Sequence, residues 1–168
     1  MREQYWKMYL SIKHRSLYYK NFQIMFNYVN WTLSSLCAIT SLSCVAAWGI
    51  WGTHPVLWSL IICAAQIFQA LFPKLPYNDL LVSTKFMICS LDKLLIEIDH
   101  SWLDINYVHD LPDEKILSLI HKYEISYSNL VSQFFAGTFL PDIKYLSKKT
   151  EKECRTYFTT KYSITEEV

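Results

Sequence analysis

The sequence predicts an all-helical membrane protein, a two-helix transmembrane hairpin with long N-terminal and C-terminal amphipathic helices in the cytoplasm. Residues 21 to 73 contain no Asp, Glu, Lys or Arg, and a Gly and a Pro mark a turn near the middle of this run. Helix-like apolar periodicity lies on both sides of it. Because one helix needs about 20 residues to cross the roughly 30 Å hydrocarbon core of a bilayer, the run has room for two spans.

Composition and charge restrict the class of protein. Charged residues make up 18% of the chain, which is below the roughly 25% of soluble globular domains. The net charge is +1, so nothing in it favours direct binding to nucleic acid. The five cysteines form no CxxC pair, which argues against a disulfide framework or a zinc site. The apolar run starts too late in the chain for a signal peptide.

Residues 1 to 28 are predicted to form a basic amphipathic helix on the cytoplasmic side. Five basic residues stand against Glu3 alone in this segment: Arg2, Lys7, Lys13, Arg15 and Lys20. Such a helix either lies on anionic headgroups or continues into the first span as one helix of roughly 45 residues. No Gly or Pro separates the two segments, which favours the continuous helix.

The hairpin is predicted over residues 29 to 73, with spans at about 29–50 and 56–72 joined by a tight turn. At 1.5 Å per residue the spans cover roughly 33 and 26 Å, so the first crosses a bilayer comfortably and the second barely. Lys and Arg precede the first span and follow the second but are absent from the turn. By the positive-inside rule, both termini should therefore face the cytoplasm.

Small and polar residues recur along one face of each span. We interpret them as a helix-packing or pore seam: Ser34, Cys37, Ser41, Cys44, Ser59, Cys63, Gln66 and Gln69. Small residues let helix backbones approach closely, and amides in hydrocarbon need hydrogen-bond partners. Two interpretations remain open, since the seams either pack the two spans of one molecule together or meet copies in an oligomer and line a hydrated path.

Residues 74 to 140 are predicted to form a cytoplasmic helical region. Apolar residues at intervals of three and four predict a helix from about Asn78 to Asn106. Asp110-Leu111-Pro112 is a helix start, and that helix should run to about Phe135. For the tail, residues 141 to 168, a short strand over 157–164, a partner contact and a lack of ordered structure all remain open.

Motifs of catalysis and cofactor binding are missing. The chain has three glycines and contains no Gly-rich phosphate loop, HExxH motif or GxSxG motif. His100, His109 and His121 fit no common metal signature. We therefore expect no enzyme activity, no cofactor and no metal.

The order of these elements is familiar, with Leu75-Pro76-Tyr77-Asn78-Asp79 after the second span and Leu111-Pro112-Asp113-Glu114-Lys115 at the start of the last helix. Over about residues 5 to 135 it resembles the SMODS- and SLOG-associating two-transmembrane effector (SLATT) family of bacterial antiviral conflict systems. The resemblance implies a membrane effector of antiphage defence in the bacterial inner membrane. Such an effector oligomerises and permeabilises the bilayer when a sensor or enzyme encoded nearby activates it, and the infected cell dies or arrests.

A second hypothesis is a membrane anchor or scaffold that recruits a soluble partner enzyme through its cytoplasmic helices. The two hypotheses differ at Gln66 and Gln69, because replacing both with leucine should disturb a hydrated path but leave an anchor intact. A holin-like or transporter subunit is disfavoured by the lack of an ionisable residue in the spans. A soluble helical protein is disfavoured because the uncharged run leaves too little polar surface to cover it.

Overall fold

The computed structural model describes the backbone of residues 1–50, 55–71, 77–107, 111–135 and 140–162, and every regular element in these ranges is a helix. Side chains are described for the same ranges except residues 39–50, 55, 57, 58, 68, 69, 71 and 77–79. The helices are α1 (Arg2–Ile50), α2 (Pro55–Leu71), α3 (Tyr77–Tyr107), α4 (Asp113–Phe135) and α5 (Lys144–Tyr162).

The positions of proline and glycine account for where helices begin and end. Helix α1 is continuous over 49 residues, since no Gly or Pro occurs before Gly49. Helix α2 has Pro55 at its first position, where the missing N–H would have no partner within the helix. The first turn of α4 closes on Pro112, whose carbonyl oxygen accepts hydrogen bonds from the N–H groups of Lys115 and Ile116 at 2.9 and 3.3 Å.

The chain divides into two compact units. The four-helix unit comprises Met1–Gln23 and Val82–Val168, and so contains the first part of α1, most of α3, and all of α4 and α5. The hairpin unit comprises Ile24–Leu81, which is the rest of α1 together with α2 and the start of α3. Helices α1 and α3 therefore contribute to both units.

The core of the four-helix unit is built from one apolar face of each helix. Its large buried side chains include Tyr5, Tyr9 and Phe22 of α1, Met87, Leu91, Ile98 and Ile105 of α3, Ile116 of α4 and Phe158 of α5. On α3 the intervals of four and seven place these residues on a single face, as the interval of four does for Tyr5 and Tyr9 on α1. Each fully buried large apolar side chain stabilises the fold by roughly 1.5–3 kcal/mol, so this core is the main stabilising feature of the unit.

The membrane part of the predicted fold class is wrong. Among the helices of the described residues, none is both long enough and apolar enough to cross a bilayer. Helix α2 has 17 residues, about 26 Å of helix. The uncharged stretch of α1 is diluted by polar side chains such as Asn30, Thr32 and Ser34. A segment without charged residues can therefore still be too short or too polar to cross a bilayer.

Two further predictions depended on those spans and are corrected with them. The location in a bacterial inner membrane, with both termini in the cytoplasm, required helices that cross a bilayer. A pore lined by two spans required the same helices, and no described helix meets the requirement. The antiviral effector role that the resemblance implied is not tested by this finding and stays a prediction.

Helix α5 forms most of the tail, whose structure the sequence left open. It covers Lys144–Tyr162, which excludes a strand over the described part of residues 157–164. Its buried residues lie four apart: Leu146, Thr150, Cys154 and Phe158. This stripe places one helix face in the core. The sequence pattern did not predict this stripe, because one of its four residues is a threonine and most of the neighbouring residues are charged or carry a hydroxyl group.

Candidate interaction surfaces

The predicted seam residues occupy different environments in the hairpin unit. Cys37 is buried, and its Sγ lies 3.6 Å from the carbonyl oxygen of Ala65, so α1 and α2 are in contact there. Ser34, Ser59, Cys63 and Gln66 are exposed. The side chains of Ser41, Cys44 and Gln69 lie outside the described residues. Of the seam residues whose side chains are described, the structure brings Cys37 to the contact between α1 and α2.

Large apolar side chains point outward from the hairpin unit. On α2 they are Val56, Leu60 and Ile67, and on α1 they are Ile24, Tyr28 and Trp31. Their intervals of three, four and seven place each set on one face of its helix. The α1 set and Asn27 line an open cavity of about 410 Å³. Together these features identify the outside of the hairpin unit as a candidate contact surface.

The outer face of α3 carries a second stripe, here called the α3 outer stripe. Its members are exposed and alternate at intervals of four and three: Val82, Phe86, Cys89, Lys93, Ile96, His100, Leu103 and Tyr107. Six of these eight residues are apolar. The stripe was not predicted, because the buried face of α3 dominates the periodicity of the helix. The alternating intervals are the sequence signal that would have identified it.

Polar side chains from α1 and α5 converge on Asp99 of α3. Its Oδ1 accepts hydrogen bonds from the hydroxyl of Tyr9 on α1, at 2.9 Å, and from the hydroxyl of Tyr162 on α5. The Nζ of Lys161 lies 2.6 Å from the other carboxylate oxygen. The same ammonium group donates to the hydroxyl of Tyr157 at 3.2 Å. This cluster fastens the end of α5 to α1 and α3.

The electrostatics of the Asp99 cluster hold its charges fixed. Partial burial alone would raise the pKa of Asp99, but the hydrogen bonds from Lys161 and two tyrosines outweigh burial and lower that pKa. Burial and the hydrogen bond to Asp99 raise the pKa of Tyr162 to about 12. Burial alone would lower the pKa of Lys161, yet its hydrogen bonds raise it. None of the three groups changes its charge near neutral pH, so the cluster suits helix packing better than proton transfer.

Other polar contacts join α1 to the remaining helices of the four-helix unit. Arg15 Nη1 donates to the hydroxyl of Tyr127 on α4 at 3.0 Å. Asn21 Nδ2 donates to Glu153 Oε2 on α5 at 2.6 Å. These partners are more than one hundred residues apart in sequence, so folding alone brings them together.

Aromatic rings line an open groove in the four-helix unit. The ring centroid of Trp6 lies 4.9 Å from that of Trp102 and 5.4 Å from that of Tyr162. The groove has a volume of about 420 Å³, and its other lining residues are Arg2, Glu3 and Asn106. Aromatic faces beside basic, acidic and amide groups suit a peptide segment with an apolar anchor and polar neighbours.

Metal-ligating side chains do not cluster in the described part of the chain. No group of three or more His, Cys, Asp or Glu residues is placed there to hold a metal ion. Two of the predicted histidines lie beside carboxylates of their own helices, His100 at 3.3 Å from Asp104 and His121 at 4.0 Å from Glu124. His109 lies outside the described residues.

No family model, curated protein or solved structure matches this chain. The SLATT resemblance and the antiviral role that it implied therefore gain no support from a relative. The outward apolar stripes, the Asp99 cluster and the aromatic groove are the features from which a function can be argued.

Proposed function

We propose that the protein is a non-catalytic helical scaffold whose hairpin unit joins copies of the chain into an oligomer. One observation carries the proposal. In a unit built mostly from an uncharged segment, α2 turns Val56, Leu60 and Ile67 outward with exposed fractions of 73%, 67% and 59%. Neighbouring large apolar side chains exposed in this way are typical of an interface.

A second copy of the chain is the partner that this surface fits best. Residues 21 to 73 carry no Asp, Glu, Lys or Arg, so the surface has no charge with which to attract or pair a charged protein. Another copy presents the same uncharged surface, and a two-fold contact between identical patches is the commonest route to a homo-oligomer. Tyr28 and Trp31 add residue types that are enriched among interface anchors.

The test is to place a charge in the middle of the α2 stripe with Leu60→Lys. We expect a smaller particle by light scattering and at least a tenfold weaker association, because an ammonium group in an apolar interface loses its hydration without gaining a partner. Ile125→Lys on α4 is the matched control, since Ile125 is 58% exposed and lies in the other unit. An unchanged mass for Leu60→Lys would contradict the proposal.

The aromatic groove favours a second candidate function, the recruitment of a partner enzyme through the four-helix unit. This proposal keeps the recruiting role of the anchor or scaffold hypothesis and does not require a membrane anchor. A partner segment with an aromatic or aliphatic anchor would fill the groove beside Trp6 and Trp102.

Asn106→Trp tests recruitment, because this exposed position lines the groove and the substitution would fill it without removing a core side chain. Recruitment predicts that the variant loses an enzyme that co-purifies with the wild-type chain. Equal recovery of that enzyme with both proteins would argue against the groove as its binding site.

A further inference from the structure

The α3 outer stripe has the repeat of a coiled-coil seam. Intervals of four and three average 3.5 residues, the repeat that keeps an apolar seam facing a partner helix over several turns. The stripe extends from Val82 to Tyr107, about 38 Å of helix. Ile98 and the other core residues of α3 lie on the opposite side, so the seam is separate from the core. We infer that it binds the same stripe of a second copy, with the two helices antiparallel.

The apolar side chains of the α3 outer stripe are more exposed than is usual for large apolar residues. Phe86 is 59% exposed, Ile96 70% and Tyr107 81%. The outward face of a helix that borders only water is normally charged or polar. Phe86 makes one ring contact across to α4, with its centroid 6.5 Å from that of Phe134, and still leaves more than half of its surface open. The stripe thus has the chemistry of a contact face.

Charge argues against a parallel dimer. With the two helices parallel and in register, Lys93 in the seam would face Lys93 of the second copy. The flanking positions would place Asp92 beside Glu97 and Asp99 beside Asp104 of the other chain. Two-fold symmetry repeats each flanking contact. A parallel pair would therefore combine one pair of ammonium groups with four acid–acid contacts, which cost free energy at close range.

The antiparallel arrangement removes those conflicts. Seam residues then face each other across the two-fold axis as Val82 with Tyr107, Phe86 with Leu103, Cys89 with His100, and Lys93 with Ile96 of the second copy. The smallest aliphatic residue meets the largest aromatic one, which fills the ends of the seam evenly. The aliphatic stem of Lys93 can cover Ile96 while its ammonium group reaches water.

One kind of acid–acid contact remains in the antiparallel pair, between Asp92 and Asp99 of opposite chains, and two-fold symmetry makes it occur twice. Both carboxylates are already paired within their own chain. Lys20 Nζ lies 2.8 Å from Asp92, and Lys161 Nζ lies 2.6 Å from Asp99. The charge at these two contacts is therefore compensated within each chain. In the parallel arrangement the same two carboxylates would face Glu97 and Asp104 of the other chain, which makes four acid–acid contacts in place of two.

The first test separates this interface from the hairpin interface, on which it does not depend. In a Leu60→Lys background the chain should remain a dimer of twice its 19.9 kDa mass. Adding Ile96→Lys should give a monomer, while adding Ile125→Lys should leave the dimer intact. A monomeric Leu60→Lys variant, or equal masses for the two double variants, would overturn the inference. If Leu60→Lys has the wild-type dimer mass and Ile96→Lys alone gives a monomer, the hairpin proposal fails and this one stands.

The second test reads the orientation of the helices. His100→Cys places a thiol opposite the native Cys89 of the second copy. Mild oxidation should therefore give a covalent dimer, whose linked peptides join position 89 to position 100. The variant that also carries Cys89→Ser should lose that link. A Cys89–Cys89 link in the wild-type chain, or a 100–100 link in the double variant, would show a parallel pair and overturn the inference.

Discussion

The four-helix unit and the hairpin unit differ in the size of the side chains that lie between their helices. In the four-helix unit large side chains such as Phe22 and Ile98, both 0% exposed, fill a core, and the α3 outer stripe is a separate outward face. In the hairpin unit the contact between α1 and α2 involves the small residues Cys37 and Ala65, while side chains such as Leu60 point outward. The comparison teaches that the side chains between the helices, large in one unit and small in the other, decide how much of each unit's stability comes from its own core.

Polar contacts differ between the units in the same sense. In the four-helix unit they cross between helices, as when the hydroxyl of Tyr5 donates to the carbonyl oxygen of Ile98 at 2.8 Å. In the described part of the hairpin unit, the hydroxyls of Ser59 and Thr32 donate to carbonyl oxygens of their own helices, while the thiol of Cys37, a weak donor, reaches the carbonyl oxygen of Ala65 on the other helix. Hydrogen bonds within one helix do not fix its position against a neighbour. The four-helix unit should therefore be the more rigid of the two.

The largest expected effect is in the core of the four-helix unit. Ile98→Ala should lower the free energy of unfolding by about 2–5 kcal/mol, since it removes buried methyl groups and leaves a cavity. Ile125→Ala at an exposed position should change it by less than about 0.5 kcal/mol. Urea unfolding monitored by circular dichroism measures both. Equal effects of the two substitutions would mean that the four-helix unit has no core of its own.

A smaller effect is expected from two neighbouring alanines of α2. Ala65 is buried against α1, whereas Ala64 is exposed. Ala65→Leu should therefore overpack the contact and loosen the hairpin by about 1–3 kcal/mol, while Ala64→Leu should be nearly neutral. Amide hydrogen exchange in α2 measures this local stability. Faster exchange in Ala64→Leu than in Ala65→Leu would show that α2 packs with the other face.

Helices that combine one apolar face with clear end signals could be predicted from the sequence. The pattern gave a helix over about 78–106, and α3 is Tyr77–Tyr107. Pro112 marked the start of α4, and the lack of Gly and Pro made α1 continuous. These features depend on local chemistry, which a sequence displays directly.

Features that depend on other helices could not be predicted. Tyr9 and Asp99 meet across 90 positions of sequence, and no local pattern pairs them. The uncharged run of residues 21 to 73 is compatible with both a bilayer and a protein contact, and its charge count could not distinguish them. The α3 outer stripe was visible as intervals but needed the structure to show that its side chains are exposed.

The smallest expected effect tests the cross-helix polar contacts. Asp99→Asn removes the charge that Lys161 and Tyr162 engage, and should lower the free energy of unfolding by about 1–2 kcal/mol at pH 7, at the low end for charged hydrogen bonds because the site is partly exposed. Asp104→Asn is the control, because Asp104 is 61% exposed and pairs with His100 on its own helix. That change should cost less than about 0.5 kcal/mol.

The difference in stability between the wild-type protein and Asp99→Asn should also depend on pH in a defined direction. The pKa of Asp99 is lowered in the folded chain, while an aspartate in the unfolded chain has a pKa of about 3.9. Its contribution is therefore fully present above that value and is lost as the pH falls through the lowered pKa. The stability difference between wild type and Asp99→Asn should be constant from pH 7 to pH 5 and shrink below about pH 4. A difference that grew on acidification would mean that Asp99 is neutral in the fold, and that α5 is held by its apolar stripe alone.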